Sequence, residues 1–186
     1  MTLPFHLVRQ CGLVLTLAVA LSLPVAATSI SPRPDYPVPP DDAKRLFYLQ
    51  RSSNANTVVY DARLTPDGRL DPERPVEVYW LRYNTNGKRR ALNFIERHLA
   101  YGVEARPTGD DAFLVKLVSF SKRELKVFVD QKGKVRATTT IAGRPARLRF
   151  LFVEHKKDGL IPTIVHVDIF GEDLKTGAII HERVVP

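Results

Sequence analysis

The chain has 186 residues, of which 44% are hydrophobic and 26% charged, and its formal net charge at pH 7 is +8. This length predicts one domain with an ordinary packed core. Cys11 is the only cysteine, which excludes an internal disulfide and a metal site built from several thiolates.

The N-terminal 27 residues have the three parts of a secretory signal peptide. Arg9 supplies the positive charge, residues 13–23 form the apolar segment, and residues 25–27 are small, as a cleavage site requires. The apolar segment is too short to span a bilayer comfortably, which argues against a membrane anchor. We therefore expect the mature protein to begin near Thr28 and to be exported to the periplasm or the cell exterior.

A proline-rich linker is predicted at residues 28–42, which contain five prolines. Proline fixes φ and removes a backbone donor, so this composition favours an extended, polyproline-like chain. The linker either separates the domain of residues 43–186 from a neighbour or the membrane, or it is a disordered N-terminus.

The domain is predicted to begin with a β-hairpin at residues 46–61. Residues 46–50 and 57–60 are rich in β-formers, and serines and asparagines between them favour a turn. Alternation places Phe47, Leu49 and Arg51 on one face of the first strand. Neither face of that strand is cleanly polar, so we expect it to lie in the middle of a sheet.

The hairpin sequence FYLQRSSNANTVVYDA, followed by VEVYWLRY at residues 76–83, resembles a bacterial family called domain of unknown function 4833. The resemblance extends over roughly residues 43–186. It implies a secreted, β-rich domain, and it supplies no activity and no catalytic residues.

Short strands separated by turn signals are predicted along the rest of the domain. Their expected ranges are 76–83, 113–120, 125–130, 135–141, 147–155, 163–170 and 178–185. In the first of these, Trp80 alternates with Val76 and Val78, so we expect its side chain to be buried.

One segment has helical periodicity. Leu92, Ile95 and Leu99 recur at i, i+3 and i+7 within residues 91–101. Asn86 or Thr85 is a candidate N-cap, and Gly102 stands where a left-handed stop is expected. These elements predict a mainly β fold: a single antiparallel barrel or sandwich of about eight to nine strands with one inserted amphipathic helix.

Catalytic motifs are scarce. There is no GxSxG elbow and no glycine-rich phosphate loop, and Glu96 and His98 lack the spacing of a zinc-binding helix. The weak catalytic candidates are His166 and Asp168, which share a strand face, with Glu182 as a third member. We expect no metal and no cofactor.

Basic residues are concentrated between residues 116 and 149. Alternation places Lys126, Arg136, Arg147 and Arg149 on outward faces of successive strands, where they can form one basic patch. Such a patch attracts anionic envelope polymers or phospholipid head groups. The alternative is a solvated outer face, and no nucleic-acid-binding module is present.

A ligand site is predicted from the aromatic residues of the N-terminal half, with Arg51, Tyr60, Trp80 and Arg82 as its lining. The alternative is core packing with hydroxyls at the rim. Arg51 points to an apolar face and needs a partner. We expect an ion pair with a carboxylate such as Asp61, Asp168 or Glu182; otherwise, the guanidinium faces a cavity for an anionic ligand.

These patterns predict an exported, non-catalytic binding module of the bacterial cell envelope, with an apolar or amphiphilic ligand that carries an anionic group. The alternatives are a hydrolase that uses the His-carboxylate pair and an interaction protein that docks onto anionic envelope material. We expect no transmembrane segment in the mature chain.

Overall fold

A computed structural model describes residues 31–109, 111–156 and 163–186. The predicted signal peptide lies outside the described residues, and the predicted linker is described from residue 31 onward. Within these three ranges, no helix is long and apolar enough to cross a membrane.

The described residues form eleven strands that all belong to one sheet. The strands are β1 (Arg45–Arg51), β2 (Asn54–Ala62), β3 (Val76–Leu81), β4 (Arg89–Ala91), β5 (Val103–Pro107), β6 (Phe113–Leu117), β7 (Phe120–Val129), β8 (Val135–Ile141), β9 (Arg144–Lys156), β10 (Thr163–Asp173) and β11 (Ile179–Val184).

The long strand β9 divides the sheet into two wings. The start of β9 pairs with β8, whose wing continues through β7 and β6 to β5. Further along the same strand, residues 150–153 pair in parallel with β1, whose wing continues through β2 and β3 to β4. Strand β10 pairs with β9 over most of its length and with β11 on its other side.

The inner faces of both wings contribute to one hydrophobic core. Phe47 and Tyr60 come from the β1 wing, Val115 and Val127 from the β8 wing, and Ile169 from β10. Because the two wings share this core, the sheet is curled into an open half-barrel. The fold is therefore mainly β, as predicted.

The observed sheet differs in two respects from the expected antiparallel barrel or sandwich. The β1–β9 pairing is parallel. Strands β4 and β5 end the nine-strand path and do not pair with each other within the described chain. These two short edge strands have few apolar residues, so sequence patterns did not predict them. The described residues therefore form eleven strands where about eight to nine were expected.

Strand β1 lies between β2 and β9, in the middle of the sheet, as its mixed pattern predicts. Residues 31–42 contact its outer side. The buried Gln50 donates to the Pro37 carbonyl at 3.2 Å, and the Tyr36 hydroxyl donates to the Ser52 carbonyl at 3.2 Å. This segment therefore covers the outer face of β1.

The prediction of an amphipathic helix over residues 91–101 is wrong. Ala91 belongs to β4, and the helical chain is limited to Phe94, Ile95 and a π-helical turn at Glu96–Tyr101. A π-turn does not keep the 3.6-residue period. Of the three apolar residues, Leu92 is buried, whereas Ile95 and Leu99 are 66% and 74% exposed.

Asn93 provides the cap of this helical segment, rather than Asn86 or Thr85. Its side-chain oxygen accepts from the Glu96 N–H at 2.8 Å, and the Glu96 carboxylate accepts from the Asn93 N–H at 2.8 Å, which is a capping box. Gly102 does not adopt the expected left-handed conformation, since its φ is −65°. A Cβ there would lie 1.9 Å from the Arg97 carbonyl oxygen, so close packing requires this glycine.

Candidate functional site

The half-buried Arg51 side chain extends from the end of β1 along the inner face of the sheet. Its guanidinium donates to the Tyr101 hydroxyl at 2.9 Å and to the Asn54 side-chain oxygen at 3.2 Å, and its carbon Cζ lies 4.6 Å from the centroid of the Trp80 ring. The buried Nε of Arg51 has no hydrogen-bond acceptor among the described residues. The guanidinium is thus fixed by neutral groups, and its buried Nε donor is unused.

The carboxylate partner expected for Arg51 is not present among the described residues. Asp61 pairs with Arg45 at 2.6 Å, Asp168 with Arg183 at 2.8 Å, and Glu182 with Arg123 at 2.6 Å. The expectation of a structural ion pair is therefore wrong for all three carboxylates considered. Two of these pairs join neighbouring strands, β1 with β2 and β10 with β11, whereas the third joins β7 to β11.

An open cavity of about 400 Å³ lies at the Arg51 guanidinium. We call it the arginine cleft, and its lining includes Arg51, Trp80, Arg82, Arg90, Glu96 and Tyr101. Three of the four residues predicted to line a ligand site thus lie around one cavity. The three arginines outnumber the single carboxylate, so the electrostatic potential of the cleft favours an anion.

The one carboxylate of the cleft, Glu96, is already paired. It accepts from Arg90 at 2.6 Å and from the Asn93 N–H. Burial acts to raise the pKa of the Glu96 carboxyl, but these hydrogen bonds outweigh burial and hold that pKa below its ordinary value. The Trp80 indole acts in the same direction, although its Nε1 makes no hydrogen bond of acceptable geometry. Arg51 and Arg82 therefore supply the uncompensated charge.

Tyr60, the fourth predicted lining residue, lies behind the cleft in the core. Its ring stacks on Phe47 at 4.3 Å, and its hydroxyl donates to the Tyr101 carbonyl at 3.0 Å. Complete burial raises the pKa of the Tyr60 hydroxyl far above its ordinary value. Tyr60 therefore supports the wall residue Tyr101 and does not line the cavity.

A second cavity, of about 240 Å³, lies further along the inner face. We call it the apolar cavity, and its lining includes Leu49, Leu117, Leu151, Val153, Val167 and Val184. Leu49 and Arg51 are two residues apart on the same face of β1, so their Cα atoms are separated by roughly 7 Å. The two cavities share no lining residue, but each has one on this face of β1.

The catalytic candidates His166 and Asp168 do come together. The His166 Nε2 lies 3.3 Å from the Asp168 carboxylate, which also accepts from His181 Nε2 at 2.8 Å and from Arg183 at 2.8 and 2.9 Å. Asp168 is 1% exposed. Burial acts to raise its pKa, but the bonds from Arg183 and His181 outweigh burial and lower that pKa. One carboxylate thus orients two imidazoles and an arginine.

Glu182, the third member of the predicted constellation, lies elsewhere. Its carboxylate accepts from Arg123 and from the Ala142 N–H at 2.7 Å. Because the Arg123 hydrogen bonds outweigh burial, the pKa of Glu182 is lowered. The structure therefore does not join Glu182 to His166 and Asp168, and the carboxylate fixes the β8–β9 turn to β11.

The four residues of the predicted basic patch lie on one face of strands β7 to β9. Lys126 and Arg147 both lie opposite Thr138, and Arg136 lies two residues before it. Three of the four are ion-paired: Arg136 with Asp130 at 2.9 Å, and Arg147 and Arg149 with Glu172 at 2.5 and 3.6 Å. These carboxylates reduce the positive charge of this face.

The predicted lining did not include Arg90, Glu96 and Tyr101 of the arginine cleft, although Tyr101 is one of the aromatic residues from which the ligand site was predicted. Arg90 lies in the short strand β4, and the other two lie in the unexpected π-turn. The Asn93-x-x-Glu96 capping signature is visible in the sequence and could have located the start of this turn. Among the described residues, no group of three or more histidine, cysteine or acidic side chains is placed to hold a metal ion.

Comparison with known families gives one match. The model of a family described as Domain of unknown function (DUF4833) matches residues 47–183. This range includes Arg51, Trp80 and Arg82. It also includes most of the residues that line the two cavities. No curated protein and no solved structure matches the chain.

Proposed function

We propose that this chain, which belongs to the DUF4833 family, is an exported, non-catalytic binding module of the bacterial cell envelope. Its ligand is a small amphiphile with one anionic group. The anionic group binds in the arginine cleft, and the apolar part of the ligand lies in the apolar cavity.

The observation that carries this proposal is the environment of Arg51. The guanidinium is held in place by Trp80, Tyr101 and Asn54, yet it has no carboxylate partner within the described ranges, and its Nε has no acceptor. An anionic oxygen in the cleft would accept a charge-assisted hydrogen bond from this preorganised guanidinium and would supply the counter-charge that it lacks among the described residues.

The neighbouring apolar cavity supports an amphiphile in preference to a small inorganic anion. Leucine and valine side chains from strands β1, β6, β9, β10 and β11 line it. Burial of a hydrocarbon chain there releases roughly 25 cal/mol for each Å² of apolar surface removed from water. Arg51 and Leu49 share the inner face of β1, so a ligand that lies along this face would extend from one cavity toward the other.

Binding of decanoate tests the proposal, with decanol as the neutral probe of the same chain length. Trp80 is the only tryptophan of the sequence and lines the cleft, so its fluorescence reports binding. We expect decanoate to bind more tightly than decanol to the wild type. Arg51→Met, which keeps the length of the side chain without its charge, should weaken decanoate binding by about tenfold or more.

Arg106→Met is the matched control, since Arg106 pairs with Glu124 at 3.2 Å on an exposed face and lines neither cavity. It should bind decanoate as the wild type does. Arg51→Met should retain near-normal thermal stability, because no ion pair is lost. Equal binding of decanoate and decanol, or unchanged decanoate binding by Arg51→Met, would contradict the proposal.

A further inference from the structure

An exposed apolar patch lies on the helical segment that connects the two edge strands β4 and β5. Phe94, Ile95 and Leu99 are 76%, 66% and 74% exposed, and they fall within six residues of one another. The Phe94 ring packs on the His98 ring, with centroids 4.2 Å apart. We call these three residues the 94–99 patch.

The helical segment is held in place by residues other than Phe94, Ile95 and Leu99. The Asn93–Glu96 capping box fixes its start, and the buried Leu92 fixes the chain just before it. Gly102 packs against the Arg97 carbonyl at its end. The segment is thus anchored through other residues and presents its three large apolar side chains to solvent.

Basic residues surround the 94–99 patch along the chain. Between residues 82 and 99 there are five arginines or lysines and one acidic residue, Glu96. Glu96 is already paired with Arg90, and Arg89 pairs with Glu77. Lys88 and Arg97 are exposed, and neither forms an ion pair with a described carboxylate. The surroundings of the patch therefore carry net positive charge.

We propose that the 94–99 patch docks onto an anionic membrane surface. Exposed phenylalanine, isoleucine and leucine side chains enter the boundary between head groups and acyl chains, while lysine and arginine around them attract anionic lipid head groups. Net positive charge favours this partner over a second copy of the same chain, because two copies of a basic patch repel each other.

Docking through this patch is a property separate from the proposed ligand binding. It would also bring the arginine cleft near the membrane. Glu96 and Tyr101 of the same segment line the arginine cleft, whereas Phe94 and Leu99 do not. The cleft would therefore lie close to the membrane–water boundary, where amphiphiles with an anionic head are found. The two proposals rest on different residues and can fail separately.

Vesicle co-sedimentation of the protein produced from the full sequence tests the inference. The vesicles consist of phosphatidylcholine either alone or mixed with phosphatidylglycerol. We expect binding to the mixed vesicles that weakens as salt concentration rises. The double variant Phe94→Ser/Leu99→Ser should lower the partition coefficient by about tenfold or more, since each buried apolar side chain contributes roughly this factor.

Leu174→Ser is the matched control, because Leu174 is a 58% exposed leucine in the turn after β10. It should bind vesicles as the wild type does. A site-specific readout comes from Phe94→Trp and Leu174→Trp, each compared with the parent, which has Trp80 alone. Only Phe94→Trp should gain a blue-shifted emission that brominated vesicle lipids quench.

Three outcomes would overturn the inference. They are equal vesicle binding by the double variant and the wild type, equal binding to vesicles with and without phosphatidylglycerol, and a change of oligomeric state in the double variant without a change in vesicle binding. The last result would assign the patch to contact between copies of the chain. Decanoate binding by the double variant should stay unchanged, which separates this inference from the proposed ligand site.

Discussion

The guanidinium of Arg51 lies over the Trp80 ring, with 4.6 Å between its carbon Cζ and the ring centroid. The ring of Tyr101 meets the same indole edge-on at 5.0 Å between centroids. Trp80 is 4% exposed and belongs to the main core. One side chain therefore connects the core, the arginine that lacks a carboxylate and the helical segment between the two wings.

Trp80→Ala should lower the free energy of unfolding by about 3–5 kcal/mol, because it removes a large buried side chain and leaves a cavity in the core. Urea denaturation followed by circular dichroism measures this change. A loss below about 1 kcal/mol would show that Trp80 contributes little to the core. Trp80→Phe is the control, since it keeps an aromatic face for Arg51 and removes an Nε1 that has no good partner.

Period-two alternation placed Arg51 with Leu49 on β1 and Trp80 with Val76 on β3, and the antiparallel pairing of β1, β2 and β3 brings these two faces together. Val58 lies opposite Trp80, and Leu49 lies opposite Val58. The partner of Arg51 could not be predicted in this way. Ion pairing depends on the register between strands, and that register gives Asp61 to Arg45, directly opposite it on β2.

The helical period of Leu92, Ile95 and Leu99 predicted a buried apolar face, but Ile95 and Leu99 are exposed. An amphipathic pattern predicts burial only if another element covers the apolar face. The two wings end in β4 and β5, and the segment between them is anchored through Leu92, Asn93 and Gly102 instead. Sequence periodicity thus located the segment but not its exposure.

Gly171→Ala should destabilise the domain by about 1–3 kcal/mol through overpacking. A Cβ at residue 171 would lie 2.4 Å from the Ile141 side chain and 2.7 Å from the Arg147 carbonyl oxygen. The backbone contact cannot relax without shifting β10 relative to β9. Thermal and urea denaturation measure the effect.

Gly109→Ala is the control for this substitution, because a Cβ at residue 109 meets no atom within 4 Å. We expect its effect on the free energy of unfolding to stay within about 0.5 kcal/mol. Equal effects of the two substitutions would mean that β10 does not pack closely on β9 at this point.

The predicted signal peptide leads to an expectation about processing. The protein from its native host should begin near Thr28, because residues 25–27 form a small-residue cleavage site after the apolar segment. Intact-mass spectrometry of the protein in the periplasmic and extracellular fractions checks this expectation. Recovery of the chain with Met1 and residues 13–23 still attached would contradict it.

Asp168→Asn should destabilise the protein at neutral pH by about 1–3 kcal/mol, because the buried carboxylate accepts charge-assisted hydrogen bonds that an amide only partly replaces. The groups that face it are His166, His181 and Arg183. Asp35→Asn is the control, since Asp35 is exposed and pairs only with the nearby Arg33. It should change stability little at any pH.

The stability difference between wild type and Asp168→Asn should depend on pH in one direction. Since Arg183 and His181 lower the folded-state pKa of Asp168 below its unfolded value of about 3.9, the contribution of the carboxylate is complete above that value. It is lost as pH falls through the folded-state pKa. Urea denaturation at a series of pH values from about 5 downward should therefore show a difference that is constant at first and shrinks below about pH 4. A difference that grows as pH falls over this range would contradict the structural role of Asp168, and a search for hydrolysis by His166 would then become the next experiment.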